Sequence, residues 1–90
     1  MAIDYLLFTY PNCRKCEDLK AHLKDAAIAA REFKVEEKDG RLKIREFLGH
    51  IKRDDKGSII LPTLVLQEDG AVAAVVNTGQ ELETWLKSRG

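Results

Sequence analysis

Two thiols three positions apart are the residues of this chain best suited to chemistry. Cys13 and Cys16 are the only cysteines among the 90 residues, and they follow an apolar run and precede a helical pattern. At i and i+3 in the first turn of a helix, two thiols share one face and can close a disulfide. The positive end of a helix also favours a thiolate over a thiol. The spacing therefore predicts a redox-active dithiol.

Two other readings of the cysteine pair are weaker. A structural disulfide closing so short a loop would remove little chain entropy, and secreted small domains usually carry several bridges. A zinc site would need further ligands at compatible spacing, and the only histidines, His22 and His50, do not supply it. We expect no metal at this pair, and both histidines are interpreted as ordinary surface or packing residues.

Composition narrows the class of protein. The chain has 15 basic and 15 acidic residues and a formal net charge of zero, which is atypical of nucleic-acid or anionic-membrane binding. No apolar run approaches the roughly 20 residues of a membrane span, and the first residues lack the pattern of a signal peptide. We expect a single domain over residues 1–90, monomeric and cytoplasmic, without nucleic-acid or membrane partners.

The first half of the chain alternates strand and helix patterns. Ile3 to Thr9 reads as a buried strand, and a helix is expected from Cys13 to near Ala29 or Ala30, with Pro11 or Asn12 at its start. Its inward stripe is predicted to be Leu19, Leu23, Ala26 and Ala27. Arg31 to Glu36 alternates as a half-exposed strand. A second helix is predicted from about Arg41 to Ile51, capped by Asp39, with Leu42, Phe47, Leu48 and Ile51 facing inward.

The second half predicts a hairpin and a closing helix. Pro62 excludes the residues before it from the strand, so this strand should begin at Thr63. Asp69-Gly70 marks the hairpin turn into a strand from Ala71 to Val76. An amphipathic helix follows from Gln80 to Ser88. The order β-α-β-α-β-β-α favours an α/β fold with a four-stranded mixed sheet and helices on both faces.

A Cys-x-x-Cys motif that opens the first helix after a buried strand resembles the thioredoxin superfamily. The segment Leu61-Pro62-Thr63 before the hairpin makes the chain similar to the glutaredoxin-like branch. The resemblance implies a thioredoxin fold, a cis bond before Pro62, Cys13 as the exposed attacking thiol and Cys16 as the shielded resolving thiol. It also implies an enzyme, a thiol–disulfide oxidoreductase that reduces protein or glutathione mixed disulfides.

The same resemblance implies where a substrate or glutathione binds. The Leu61 backbone beside Pro62 would pair with the substrate, and Tyr10 would line the rim of the groove. Arg14 and Lys15 stand where the family often has Pro-Tyr, and they place two cations beside Cys13. Gly79 and Gln80 lie where glutathione-using members bind a carboxylate at a helix start, although Asn77 to Glu81 replaces their usual Gly-Gly pattern.

The sequence leaves the electron donor and two other functions open. We expect no bound cofactor, with glutathione as a co-substrate or thioredoxin reductase as the donor. One alternative is an iron–sulfur cluster carrier in which two subunits share a cluster, although Arg14 would crowd such a dimer. The other is a redox sensor or donor that serves one partner enzyme.

Overall fold

A computed structural model describes residues 3–89, excluding the side chain of Arg89. The elements are, in order, β1 (Ile3–Thr9), α1 (Arg14–Asp25), β2 (Arg31–Lys34), α2 (Lys38–Ile44), a 3₁₀ turn (Arg45–Phe47), β3 (Thr63–Glu68), β4 (Ala71–Val76) and α3 (Gly79–Arg89). The predicted alternation of strands and helices is confirmed. The differences lie at the ends of the helices and of β2, which ends at Lys34 and not at the predicted Glu36.

The four strands form one mixed sheet in the order β2-β1-β3-β4. β1 pairs in parallel with β2, which requires the crossover through α1, and it pairs antiparallel with β3 on its other side. β3 and β4 form the predicted hairpin. Its turn has Asp69 at φ 53° and Gly70 at φ 84°, the two left-handed residues that a type I′ turn requires. This is an α/β thioredoxin fold, as predicted.

Alternation along the strands divides the core into two halves, one on each face of the sheet. We call the first the dithiol face because α1 and α3 cover it; its buried residues are Leu7, Leu19, Leu23, Leu64, Leu66, Val76 and Leu82. We call the second the α2 face; its buried residues are Leu6, Phe8, Ile44, Phe47, Ile51 and Val65. Both halves depend on β1 and β3, whose central residues are almost completely buried.

The first helix is shorter than the sequence predicts. α1 ends at Asp25, and Ala27 adopts a left-handed conformation with φ 57°. The Ile28 amide donates to the Leu23 carbonyl at 2.9 Å, which closes the helix end in the manner of a Schellman motif. Ala26 and Ala27, predicted to face inward, are exposed. The prediction was wrong because alanine favours helix at any position, whereas the turn toward β2 needs the helix to stop.

The second helix differs in both position and inward face. α2 spans Lys38–Ile44 with Glu37, not Asp39, at its N-cap, and the chain then tightens into the 3₁₀ turn. Leu42 and Leu48, both predicted to face inward, are 50% and 40% exposed. Gly40 is buried instead, and it lies so close to the Lys34 carbonyl that a Cβ at this position would overlap the oxygen. Because Gly40 has no side chain, α2 can pack against the end of β2, and this contact determines which residues of α2 face inward.

Candidate active site

The dithiol lies at the start of α1, as predicted, but Cys13 itself caps the helix. Cys13 has extended φ and ψ angles of −110° and 108°, and its Sγ accepts the backbone N–H of Cys16 at 3.2 Å. Pro11 and Asn12, the predicted capping residues, precede the cap, and Asn12 turns the chain with φ 55°. Both cysteines are free thiols. A sulfur that accepts an amide N–H at a helix start is a favourable site for negative charge.

The two thiols have different environments. Cys13 is partly exposed, whereas Cys16 is only 1% exposed and belongs to the buried core. Burial raises the pKa of Cys16 to about 11, and its interaction with Cys13 contributes in the same direction. A hydrogen bond from the Tyr10 backbone and the charge of Lys20 oppose that rise. Cys16 is therefore held as a protonated thiol at neutral pH, beside a more accessible partner.

The segment before β3 is held by a buried amide. The Leu61–Pro62 bond is cis, as the resemblance implies. The Asn77 Nδ2 donates to the carbonyl oxygens of Ile60 at 3.1 Å and Pro62 at 2.9 Å, and lies 3.2 Å from the Thr63 Oγ1. Asn77 is buried, and its Oδ1 has no hydrogen-bond partner among the described residues. The residue that follows β4 thus fixes the chain that enters β3.

The start of α3 satisfies its own amides. The Thr78 Oγ1 accepts the Glu81 N–H at 3.1 Å, and the Glu81 carboxylate accepts the Asn77 N–H at 2.9 Å, a variant of the capping box. Lys52 completes the arrangement at 2.8 Å from that carboxylate. The hydrogen bond from Lys52 lowers the pKa of Glu81 against the effect of burial, and the Asn77 amide adds to it. A carboxylate of the chain itself therefore already stands at this helix start.

The predicted binding residues fall in separate places. Lys15 and Gly79 meet at a cavity of about 270 Å³ between α1 and α3, whose lining is Lys15, Asp18, His22, Asn77, Thr78 and Gly79. Gly79 is buried against His22, and a Cβ at this position would overlap the His22 ring. Gln80 instead lines a different cavity, between β4 and α3. The structure thus brings Lys15 to Gly79, whereas the adjacent Gln80 lines the other cavity.

The other predicted residues differ in their exposure. Tyr10 is 56% exposed and Arg14 is exposed, whereas Leu61 is partly buried and packs against the core of the α2 face. His50 is exposed, and the His22 Nδ1 lies 3.3 Å from the Glu83 carboxylate. Within residues 3–89, none of the helices has the length and apolar character needed to cross a membrane.

A polar cluster beside Cys16 was missed by the sequence analysis. The Thr9 Oγ1 donates to the Glu32 carboxylate at 2.7 Å, and the Lys20 Nζ lies 2.9 Å from the same carboxylate. Burial disfavours the charge of Glu32, but hydrogen bonds from Lys20 and Thr9 outweigh it and lower the pKa. The signals in the sequence were a lysine at i+4 from Cys16 and the pairing of β2 with β1, which sets Glu32 opposite Leu7.

Comparison with solved structures gives the family. No family model and no curated protein matches the chain. The thioredoxin-like protein BC3987 has 30% sequence identity over 90% of this chain and 97% of its own, with a TM-score of 0.59. Glutaredoxin 1 from Francisella tularensis, solved as a complex with cacodylate, shares the fold with a TM-score of 0.60 at 16% identity, over 97% of this chain and 95% of its own.

A third similar structure is the germline-specific thioredoxin Deadhead of Drosophila melanogaster. Its TM-score is 0.66 at 15% identity, over 96% of this chain and 79% of its own, so it shows the fold alone. Together with the Cys13–Cys16 pair at the start of α1, the similarity to the thioredoxin-like protein BC3987 indicates a thiol oxidoreductase. The chain belongs to the thioredoxin superfamily.

Proposed function

We propose that the protein is a thiol–disulfide oxidoreductase in which Cys13 attacks the substrate disulfide and Cys16 resolves the intermediate. The observation that carries this assignment is the difference between the two thiols. Cys13 is accessible and its sulfur accepts an amide N–H, whereas Cys16 is buried and protonated. A nucleophile must be accessible and ionised, and a resolving thiol must be shielded until the intermediate has formed.

The exchange proceeds in two balanced steps. The Cys13 thiolate attacks one substrate sulfur, the substrate S–S bond breaks, and the released thiolate takes a proton from solvent. Cys16 then loses its proton and attacks the Cys13 sulfur, which breaks the mixed disulfide and releases the second substrate thiol. The substrate disulfide gains two electrons, and the Cys13–Cys16 pair loses two as it forms an intramolecular disulfide.

Protein disulfides are the substrate class that we favour. The Leu61 backbone beside the cis bond offers N–H and C=O groups to an extended peptide, and Asn77 holds this segment rigid through its contacts with Ile60 and Pro62. Tyr10, more than half exposed, adds an aromatic contact surface on the loop before the dithiol. Arg14 and Lys15, both exposed, favour substrates with acidic residues near the disulfide.

The electron donor that we favour is a protein reductase such as thioredoxin reductase. Glutathione would place a carboxylate near Gly79 and Gln80, but two backbone donors at this helix start are already used by the chain itself. The Asn77 N–H donates to the Glu81 carboxylate and the Glu81 N–H donates to the Thr78 Oγ1. Glutathione mixed disulfides remain the second substrate class to be tested.

A coupled assay of NADPH consumption tests the proposal. One arm contains glutathione and glutathione reductase, the other contains thioredoxin reductase, and both contain a protein disulfide. We expect turnover in the reductase arm, weaker turnover with glutathione, and none in either arm for Cys13→Ser. Absence of turnover by the unaltered protein in both arms would overturn the proposal.

A further inference from the structure

The cluster of Thr9, Lys20 and Glu32 has no part in the mechanism above, yet it lies beside the resolving thiol. We propose that Lys20 is a positioning cation for the resolving step: held by Glu32, its ammonium stabilises the Cys16 thiolate as that thiolate forms. This inference rests on the proposed function of Cys16.

Helix geometry places the lysine on the side of the thiol. Lys20 follows Cys16 by four residues in α1, so the two side chains share a face, with Cβ atoms about 5–6 Å apart. The Lys20 side chain is only 34% exposed, because it extends toward β2 and pairs with Glu32 at 2.9 Å. Its second partner, Glu17 of the same helix, is farther at 3.5 Å and is 72% exposed. Lys20 is therefore held between the helix and the sheet.

The sheet fixes the partner of Lys20. Glu32 of β2 is opposite Leu7, so its side chain lies on the dithiol face, as does that of Thr9. Thr9 is buried and donates to Glu32 at 2.7 Å, which leaves the carboxylate little freedom to move. The next residue, Tyr10, hydrogen-bonds Cys16 through its backbone. Lys20 of the cluster and Tyr10, the residue after Thr9, thus both interact with Cys16.

The resolving step needs such a charge. Cys16 must lose its proton in a buried site, where an anion is costly and a nearby cation interacts more strongly than it would in water. The hydrogen bond to Glu32 raises the pKa of Lys20, so the lysine stays protonated and supplies charge without accepting the proton.

The proposed acceptor for the Cys16 proton is solvent water on the side of the polar cluster. Thr9, Lys20 and Glu32 line an open polar cavity of about 170 Å³, which water can enter. The other charged groups around this cavity are Glu17, Lys34 and Glu36. Burial is the main influence on the pKa of Cys16 and raises it, and the interaction with Cys13 raises it further. The charge of Lys20 lowers the pKa against both effects.

Stopped-flow oxidation by excess dithiobis(nitrobenzoic acid) tests the inference on the full chain. The attack of Cys13 releases one nitrothiobenzoate at a rate proportional to reagent, and the attack of Cys16 on the resulting mixed disulfide releases a second at a rate independent of reagent. Lys20→Met should slow the second phase at neutral pH and move its pH midpoint upward. Each unit by which the pKa of Cys16 rises lowers the fraction of Cys16 thiolate about tenfold.

Controls separate charge from structure. Lys20→Arg should restore the midpoint, and Lys24→Met, which removes an exposed lysine one turn further along α1, should leave it unchanged. If Lys20→Met does not fold, Lys20→Gln removes the same charge while keeping a hydrogen-bond donor for Glu32. A Lys20 variant with the original rate and midpoint, or an equal shift in Lys24→Met, would overturn the inference. A missing second phase in the unaltered protein would instead contradict the assigned role of Cys16.

Discussion

The two faces of the sheet bury cores of similar size but differ in composition and in what lies above them. The buried residues of the dithiol face are aliphatic, and this face is covered by α1 and α3, two helices of 12 and 11 residues. The α2 face is centred on aromatic rings: the ring centroid of Phe8 lies 5.5 Å from that of Phe33 and 6.0 Å from that of Phe47. A helix of seven residues and a 3₁₀ turn cover this face.

This difference assigns separate roles to the two faces. The two thiols and the polar cluster beside Cys16 belong to α1 and the strand ends on the dithiol face. The α2 face carries no part of the proposed dithiol chemistry, although Leu61 packs against it. Changes on the dithiol face should therefore alter thiol chemistry as well as stability, whereas changes on the α2 face should alter stability alone.

The largest expected effects come from one truncation on each face. Phe47→Ala removes a buried ring of the α2 face and should lower the free energy of unfolding by about 3–5 kcal/mol; Leu19→Ala, on the dithiol face, should lower it by about 2–5 kcal/mol. Only Leu19→Ala should speed alkylation of Cys16, because Leu19 follows Cys16 by three residues in α1 and shares its buried face. Denaturant unfolding and mass spectrometry of alkylated protein measure the two effects. Equal gains in Cys16 alkylation in both variants would contradict the separation of roles.

Substitution of Gly40 tests the contact between α2 and the end of β2. In Gly40→Ala, the new methyl group would meet the Lys34 carbonyl, which belongs to the backbone and moves only with the strand end. Overpacking of this kind should cost about 1–3 kcal/mol. The matched control is Gly49→Ala, since a Cβ there has nothing within 4 Å and should change stability by less than about 0.5 kcal/mol. Thermal unfolding of the two variants checks the difference, and equal losses would refute the contact.

A smaller gain in stability is expected at the end of α1. Ala27 holds a left-handed conformation at the position where glycine is usual, so Ala27→Gly should raise the free energy of unfolding by about 0.5–1 kcal/mol. The control is Ala29→Gly, at an exposed position two residues further on that has no positive φ, and it should not raise stability. Chemical denaturation distinguishes them. A loss of stability in Ala27→Gly would mean that the left-handed turn is not the conformation in solution.

The smallest effect concerns acid stability. The pKa of Glu32 is lowered in the folded protein by Lys20 and Thr9, against the effect of burial. Its contribution to stability is therefore fully present above the ordinary value of about 4.3 and is lost as pH falls through the folded pKa. Glu32→Gln should flatten the fall in stability below about pH 4.3, by no more than about 1 kcal/mol because the pair is one-third exposed. Unfolding curves at several acidic pH values measure it, and an unchanged slope would contradict the pairing.

The sequence predicted the dithiol face better than the α2 face for physical reasons. Leu19 and Leu23 recur at helical spacing in α1, as do Leu82, Trp85 and Leu86 in α3. The Asp69-Gly70 turn and Pro62 mark the hairpin, so local signals sufficed there. On the α2 face, the position of the helix depends on Gly40 lying against Lys34, a contact between separate elements. Capping by Cys13 was missed because a cysteine is an unusual cap, and the Lys20–Glu32 pair was missed because it forms only when β2 pairs with β1.

The central claim is that Cys13 attacks and Cys16 resolves, and trapping of the mixed disulfide tests it most directly. Each single Cys→Ser variant is mixed with a disulfide substrate, quenched with acid, and examined by intact-protein mass spectrometry. We predict that Cys16→Ser accumulates substrate on Cys13 as a stable adduct, whereas Cys13→Ser remains unmodified over the same time. Accumulation of an adduct on Cys16 in Cys13→Ser, at the rate seen for Cys13 in the other variant, would contradict the assignment.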